Sequence, residues 1–387
     1  MYQIRTYNAI SVKGLERFPR DRYEIASELP HPDAFMLRSQ KLHEVEFPDT
    51  LKAIGRAGAG VNNIPLARAT EAGIVVFNAP GANANAVKEL VLAGMLLGAR
   101  DVYQGMKYVD TLAPQEGLDP LLEKEKKRFA GTELSGKTLG VVGLGNIGSL
   151  VANMGLALGM NVVGYDPAIS VEAAWRLSSQ VQKMDNLSSL FTRCDYISLH
   201  LPALDATRGL VNDALLGCLR EGAVLLNFAR GEIVDEASLL RALEGEKLRR
   251  YVSDFPANAT LGHPKVLQMP HIGASTQEAE ENCAVMVADQ LIDFLENGNI
   301  RNSVNFPHIA LARTTPVRLT ITNRNVPKVL GRITAIIADH EINIVDMLNK
   351  SRDDLAYNII DLAAMPGEDS LNALNAIEEV INVRVIA

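Results

Sequence analysis

The sequence predicts an α/β protein: two doubly wound, Rossmann-like parallel-sheet lobes followed by a ferredoxin-like βαββαβ tail. Three observations predict it. Apolar runs of strand length alternate with helical stretches through about the first 300 residues, the pattern of parallel sheets covered by helices on both faces. A glycine-rich turn, Gly143-Leu144-Gly145-Asn146-Ile147-Gly148, falls between one such run and a helix. The last seventy residues or so carry a strand–helix–strand–strand–helix–strand order of their own.

Composition bounds the rest. At about 150 residues per domain, 387 residues make two to three domains. The chain is 47% apolar and 22% charged, as in a packed globular protein. Its 38 basic and 46 acidic side chains leave a net charge of −8, which argues against nucleic acid or an anionic membrane as partner. Three cysteines, Cys194, Cys218 and Cys283, have no C-x-x-C spacing, so neither a disulfide framework nor a metal site is expected. The amino terminus lacks the charged-then-apolar pattern of a secretory leader. The longest apolar stretch, 90–99, lies between Glu89 and Arg100 and is too short to span a bilayer. A cytoplasmic location is the expectation.

The elements follow in order. Residues 34–37, 51–55 and 74–77 read as buried parallel strands. Residues 101–131 are polar and carry the basic cluster Lys124, Lys126, Lys127 and Arg128, which suits a connector. Then come a strand over 138–143, a small-residue helix over 147–158, and strands over 161–166, 196–201, 223–228 and 266–269. A long amphipathic helix covers 277–296, and the Pro- and Thr-marked stretch 307–316 reads as a linker. The tail reads strand 317–322, helix 327–340, strands 344–350 and 356–362, helix 370–377, strand 380–386.

The glycine turn has a mechanical reading. Gly143 permits the tight turn, Gly145 lets backbone approach a pyrophosphate, and Gly148 allows close helix–strand packing. Asn146 and Ile147 open the helix, whose positive end faces the phosphates. Asp166, closing the next strand, can accept hydrogen bonds from both ribose hydroxyls and would repel a 2′-phosphate, so the cofactor expected is NAD.

Three later segments bring ionisable groups to predicted strand ends: Asn227–Glu236, Val252-Ser253-Asp254-Phe255-Pro256, and Met269-Pro270-His271 running on to Thr276. With the glycine turn, the blocks 227–236 and 270–276 resemble the D-isomer-specific 2-hydroxyacid dehydrogenases over almost the whole chain. The runs 55–63 (GRAGAGVNN), 129–134 (FAGTEL) and 271–276, with a tail similar to an ACT domain, resemble most closely the branch that oxidises 3-phosphoglycerate at the start of serine synthesis.

The resemblance implies hydride transfer between C2 of a 2-hydroxy acid and a nicotinamide. Arg230 would hold the substrate carboxylate through a two-pronged hydrogen bond. His271 would take and return the hydroxyl proton. Leu201, Phe228, Ala229, Asp254, Gly273 and Ala274 would line the cofactor. Arg38, Ser39, Arg56, Gly58 and Asn83 would bind the phosphorylated acid, with Lys41 and Lys127 as weaker candidates. One position departs from the family. The glutamate that orients the histidine is replaced by Asn258, and 255–270 contains no carboxylate. Asparagine can still hold the ring, but brings no charge. Ala59 stands where threonine is common.

In the tail, Asn323, Asn325 and Asn343 match positions that bind serine as an effector, while Lys328 and Glu341 stand where the family has glycine. The implied division is 1–90 with 283–306 for the substrate, 91–282 for NAD, 307–316 as linker and 317–387 as the regulatory unit. A homo-oligomer, dimer or tetramer, is expected. Two alternatives stay open. One is a glyoxylate or hydroxypyruvate reductase. The other is a weakly catalytic NAD- or serine-sensing homologue, suggested by Asn258.

Overall fold

The computed structural model describes residues 1–387. Residues 1–83 with 277–387 form one compact unit, and 84–276 form a second. Both breaks fall where a helix begins, at Ala84–Ala99 and Gln277–Asn297. Boundaries at 90/91 and 282/283 would cut these helices, whereas each stays whole because its buried face packs as one surface.

In the first unit, five parallel strands lie in the order Tyr23–Ala26, Tyr2–Thr6, Ala34–Leu37, Ala53–Arg56, Val75–Phe77. Alternation along Ala34–Leu37 serves both faces: Ala34 and Met36 share a core with Val287 and Leu291 of the long helix, while Phe35 and Leu37 share another with Leu42 and Ile54. Gly55 lets that helix close in, since a Cβ there would stand 2.4 Å from Val287 Cγ1.

In the second unit, seven parallel strands lie in the order Val266–Gln268, Leu248–Ser253, Ala223–Asn227, Tyr196–Leu199, Thr138–Val142, Asn161–Tyr165, Gln182–Lys183. The chain reverses its direction of winding between Tyr196–Leu199 and Thr138–Val142, where doubly wound sheets bind ligands. The stretch read as a connector forms the helices Val102–Asp110 and Leu118–Glu125 and a 3₁₀ turn, Lys126–Phe129, none with a buried residue. No helix is long and apolar enough to cross a membrane.

The tail folds in the expected element order, with its antiparallel strands arranged Ile344–Arg352, Leu355–Leu362, Val317–Arg324, Val380–Ile386. Helices Val329–Asp339 and Glu368–Asn375 cover the face carrying Leu319, Ile321, Ile360 and Leu362. Leu355, Tyr357 and Ile359, on the opposite face, enter the core of the first lobe. Strand Leu355–Leu362 is therefore buried on both sides.

That packing closes the end of the long helix. A helix leaves its last carbonyls without intrahelical donors, and here side chains reach five successive carbonyls at and just past the end, the first of which, Phe294 O, also accepts from Gly298 N (2.9 Å). Phe294 O accepts from Arg384 Nη2 (2.5 Å), Leu295 O from Tyr2 Oη (2.8 Å) and Glu296 O from Arg313 Nη1 (3.4 Å). Asn297 O accepts from Arg318 Nη1 and Gly298 O from Tyr357 Oη, each at 2.9 Å. Guanidinium charge at a helix carboxyl end also suits the macrodipole. Arg318 is in turn fixed by Asp361 through two bonds, Nε–Oδ1 at 2.6 Å and Nη2–Oδ2 at 2.9 Å, with both side chains buried. Burial alone would raise the Asp361 carboxyl; hydrogen bonds from Arg318 and Thr314 outweigh it and hold the group below the usual range.

Lys328 and Glu341 adopt left-handed backbone, φ 76° and 57°, a conformation that glycine takes without strain.

Two stability changes are expected. Asp361→Ala leaves the Arg318 charge buried and unpaired, and should lower unfolding free energy by about 3–5 kcal/mol in a denaturant titration. Glu341→Gly relieves left-handed strain and should raise it by about 0.5–1 kcal/mol in the same experiment.

Candidate active site

One row of backbone pairing organises the second unit: Tyr165 pairs with Val142, Val142 with Leu199, Leu199 with Asn227, Asn227 with Ser253, and Ser253 with Gln268. The residues just past that row are Asp166, Gly143, His200, Phe228, Asp254 and Met269. Neighbouring parallel strands lie about 4.8 Å apart, so these loops all leave one edge of the sheet side by side.

The glycine turn is shaped by collisions. Gly143 has φ 89°, and a Cβ on it would lie 2.5 Å from His200 O. A Cβ on Gly148 would lie 1.8 Å from Gly143 O. Gly145 has no atom within 4 Å of its Cβ position, which leaves its outer face open at the start of helix Asn146–Ala157. Open space before free helix amides is what a pyrophosphate requires, so the residues present fit a dinucleotide. Asn146 has its side chain held by Arg176 (2.7 Å), and Ile147 packs into the core behind the turn. Asp166 is tied back to this turn, Oδ2 accepting from Leu144 N (2.8 Å) and Oδ1 from Ala168 N (2.9 Å). Each oxygen keeps a lone pair for a ribose hydroxyl. Leu201 packs its Cδ2 over Gly143. Phe228 and Ala229 are buried, and the Phe228 ring lies against Gly94, so only backbone is offered to a ligand there.

Arg230 is exposed and leaves a turn built by Asn227, whose fully buried amide donates to Arg230 O (2.9 Å) and accepts from Ala229 N (3.2 Å). One guanidinium nitrogen, Nη1, donates to Ala229 O (2.6 Å), which leaves the other edge of the fork outward.

His271 takes a left-handed backbone, φ 57°. Asp254, 2% exposed, clamps the two residues after it: Oδ1 accepts from Ile272 N (2.8 Å) and Oδ2 from Gly273 N (2.7 Å). Asp254 therefore shapes the histidine loop, and Gly273 with Ala274 continues it. The imidazole is exposed, rests on the Phe255 ring with centroids 4.9 Å apart, and has no hydrogen-bond partner in the chain. Asn258 opens the 3₁₀ turn Asn258–Thr260 as an exposed residue with no hydrogen bond of its own. Behind Phe255 lies a cavity of about 240 Å³ whose lining includes the carboxylates Glu232 and Glu236.

The sequence reading missed His200. Its Nε2 shares a 2.8 Å hydrogen bond with the buried Ser198 Oγ, its Nδ1 is buried without a partner, and burial pushes its pKa down to about 3. Ser198 and His200 alternate along one strand end, the only pattern in the sequence that signals the pair.

In the first unit, Arg38 and Arg56 stand together. Arg56 Nε donates to Arg38 O (3.1 Å), and the Arg56 guanidinium lies against Gly58, with Nη1 2.3 Å from where a Cβ would stand. Ser39 N donates to Asn8 Oδ1 (3.1 Å). Asn83 is the residue before helix Ala84–Ala99. Lys41 and Lys127 are exposed. In the tail, Asn323 is buried, its amide donating to Arg324 O (2.6 Å) and accepting from Asn358 (2.8 Å), whereas Asn325 and Asn343 are exposed.

Residues 92–273 match the family described as D-isomer specific 2-hydroxyacid dehydrogenase, NAD binding domain. A D-3-phosphoglycerate dehydrogenase of Methanocaldococcus jannaschii is 36% identical over 337 residues, 84% of this chain and 61% of the relative. One of Synechocystis is 40% identical over 293 residues, 73% of this chain and 50% of the relative. The chain thus spans about half to three-fifths of the length of the curated relatives it matches. Among solved structures, an NAD+-bound 3-phosphoglycerate dehydrogenase of Entamoeba histolytica is 28% identical with a TM-score of 0.62, covering 80% of this chain and 99% of that one.

His200 yields a signed expectation. An unfolded imidazole takes a proton near pH 6.5 and the folded one only near pH 3, so unfolding is favoured by acid across that window. Melting temperature should fall as pH drops from 6.5 toward 3, and His200→Asn should flatten that slope in a pH series of thermal melts.

Proposed function

We propose that this chain, which belongs to the D-isomer-specific 2-hydroxyacid dehydrogenase family and carries its NAD-binding domain in residues 92–273, oxidises 3-phospho-D-glycerate to 3-phosphohydroxypyruvate. The observation that carries the reading is the single row of strand ends that sends Asp166, the glycine turn, Arg230 and His271 out of one sheet edge. The relatives' shared name supports the substrate.

Bound NAD supplies the acceptor for the hydride that leaves C2. The chain's own groups do the rest. Arg230 presents the free edge of its guanidinium to the substrate carboxylate, which fixes C2 in position. His271, whose ring nitrogens have no partner in the chain, accepts the hydroxyl proton as the hydride departs, so that C2–OH becomes a carbonyl. The proton returns by the same nitrogen in reduction. Arg38 and Arg56, with Ser39, Gly58 and Asn83, take the phosphate end.

The tail is read as an ACT-like regulatory unit, with the exposed Asn325 and Asn343 as candidates for serine. A homo-oligomer is supported by the exposed stripe Val102, Tyr103, Met106 and Val109 on one helix. The unpaired Asn258 favours a second reading, a weakly catalytic NAD- or serine-sensing homologue.

Absorbance of reduced nicotinamide with 3-phosphoglycerate and NAD tests the choice. Turnover is expected, with His271→Asn lowering kcat by about 10²- to 10⁴-fold. Arg230→Ala should lower kcat/KM by about 10- to 100-fold. No turnover in the unaltered protein, with NAD still bound, would favour the sensing homologue instead.

A further inference from the structure

The turn that carries Arg38 is rigid in its backbone. Asn8 Oδ1 accepts from both Ser39 N (3.1 Å) and Gln40 N (2.7 Å), while Arg38 O accepts from Arg56 Nε (3.1 Å) and Asn63 Nδ2 (3.2 Å). The guanidinium itself meets a carboxylate: Arg38 Nη2 lies 2.7 Å from Glu280 Oε1, with the side chains 41% and 43% exposed. Glu280 stands in the first turn of helix Gln277–Asn297, where the macrodipole favours a negative charge whether or not it is paired. Other acids of this helix, Glu281, Asp289 and Glu296, pair with Lys13, Arg17 and Arg22. None of those cations is a candidate for binding the acid; Arg38 is. The buried Cys283 thiol reports the same grouping, since burial raises it, Arg56 and Arg38 pull it down, and Glu280 raises it again.

We propose that Glu280 sets the affinity of this corner: it occupies the Arg38 guanidinium in the free protein, so that an incoming anionic group must displace a resident carboxylate to bind. This rests on the reading of Arg38 as a phosphate ligand. A doubly charged phosphate competes well for a guanidinium, because it offers more charge and three acceptor oxygens. A neutral hydroxymethyl group makes no claim on the guanidinium and leaves the pair in place. Glu280 therefore weakens binding of the phosphorylated acid and leaves that of the unphosphorylated one unchanged. Because the pair is partly exposed, the effect is modest.

The test is a comparison of Glu280→Gln, Arg38→Gln and the double variant, with 3-phosphoglycerate and D-glycerate as substrates and calorimetric binding of 3-phosphoglycerate as a readout independent of turnover. Glu280→Gln is expected to lower KM and the dissociation constant for 3-phosphoglycerate by about two- to five-fold, with a much smaller change in kcat. In the Arg38→Gln background the same substitution should give no such gain, since the competed group is gone. Thermal melts establish that each variant is folded. If Arg38→Gln weakens phosphoglycerate binding but Glu280→Gln leaves it unchanged or weakens it, the role of Glu280 is overturned and that of Arg38 stands. If Arg38→Gln has no effect on binding, both are overturned.

Discussion

Parallel pairing decides where the chemistry of the second unit emerges. Successive strands start at different points in the sequence, yet Tyr165, Val142, Leu199, Asn227, Ser253 and Gln268 fall on one row, and every loop that carries a candidate group begins just beyond it. A slip of one residue in any strand would turn its side chains to the opposite face and retract or advance its loop by about 3.3 Å. The hydrophobic alternation of the buried strands therefore does more than fill a core. It fixes the register, and the register sets how far Asp166, Arg230, Asp254 and His271 stand from the sheet.

The first unit solves a different problem. The long helix Gln277–Asn297 begins just after the histidine loop and ends against the tail, where Arg384, Arg313, Arg318 and Tyr357 supply four of the five donors to its last carbonyls. The tail's sheet has one face beneath its own helices and the other inside the first lobe. A module attached by a flexible tether would keep its own closed surface. This tail shares its core with the lobe it joins, so a change of backbone in its sheet acts directly on the capping arginines.

What was legible in the sequence follows burial and backbone geometry. Ala34–Leu37 and the central strands of the second sheet stand out because both faces are apolar. Tyr2–Thr6 does not, since only Ile4 is fully buried, and Gln182–Lys183 is a two-residue exposed edge. The three glycines of the turn are legible through their spacing, and the structure supplies a physical cause for each. His200 was hidden, because it falls within the strand read over 196–201 and nothing in the sequence marks its ring as buried on the Ser198 hydroxyl. The Arg38–Glu280 pair joins residues far apart in the chain, and no local pattern announces it. The polar run 101–131 misleads in the other direction: its two helices bury no residue, so nothing in the apolar spacing marks them.

The absence of a carboxylate between 255 and 270 changes how the histidine must be held. Two requirements are usually met by one acid: aiming the ring, and deciding which nitrogen carries the proton. Here they separate. The left-handed backbone of His271, the two amides clamped by Asp254 and the Phe255 ring determine where the imidazole lies. None of these selects a tautomer, because a ring face contact and bonds to neighbouring backbone amides do not touch either ring nitrogen. On the proposed reading of His271 as proton acceptor, a ring placed by packing is free to be neutral on either side, and a hydrogen bond from a substrate hydroxyl would make the choice. On that reading the substrate would supply part of the ordering that a resident carboxylate arranges in advance, which would raise the entropic cost of reaching the reactive geometry while keeping an imidazole in place to take the proton.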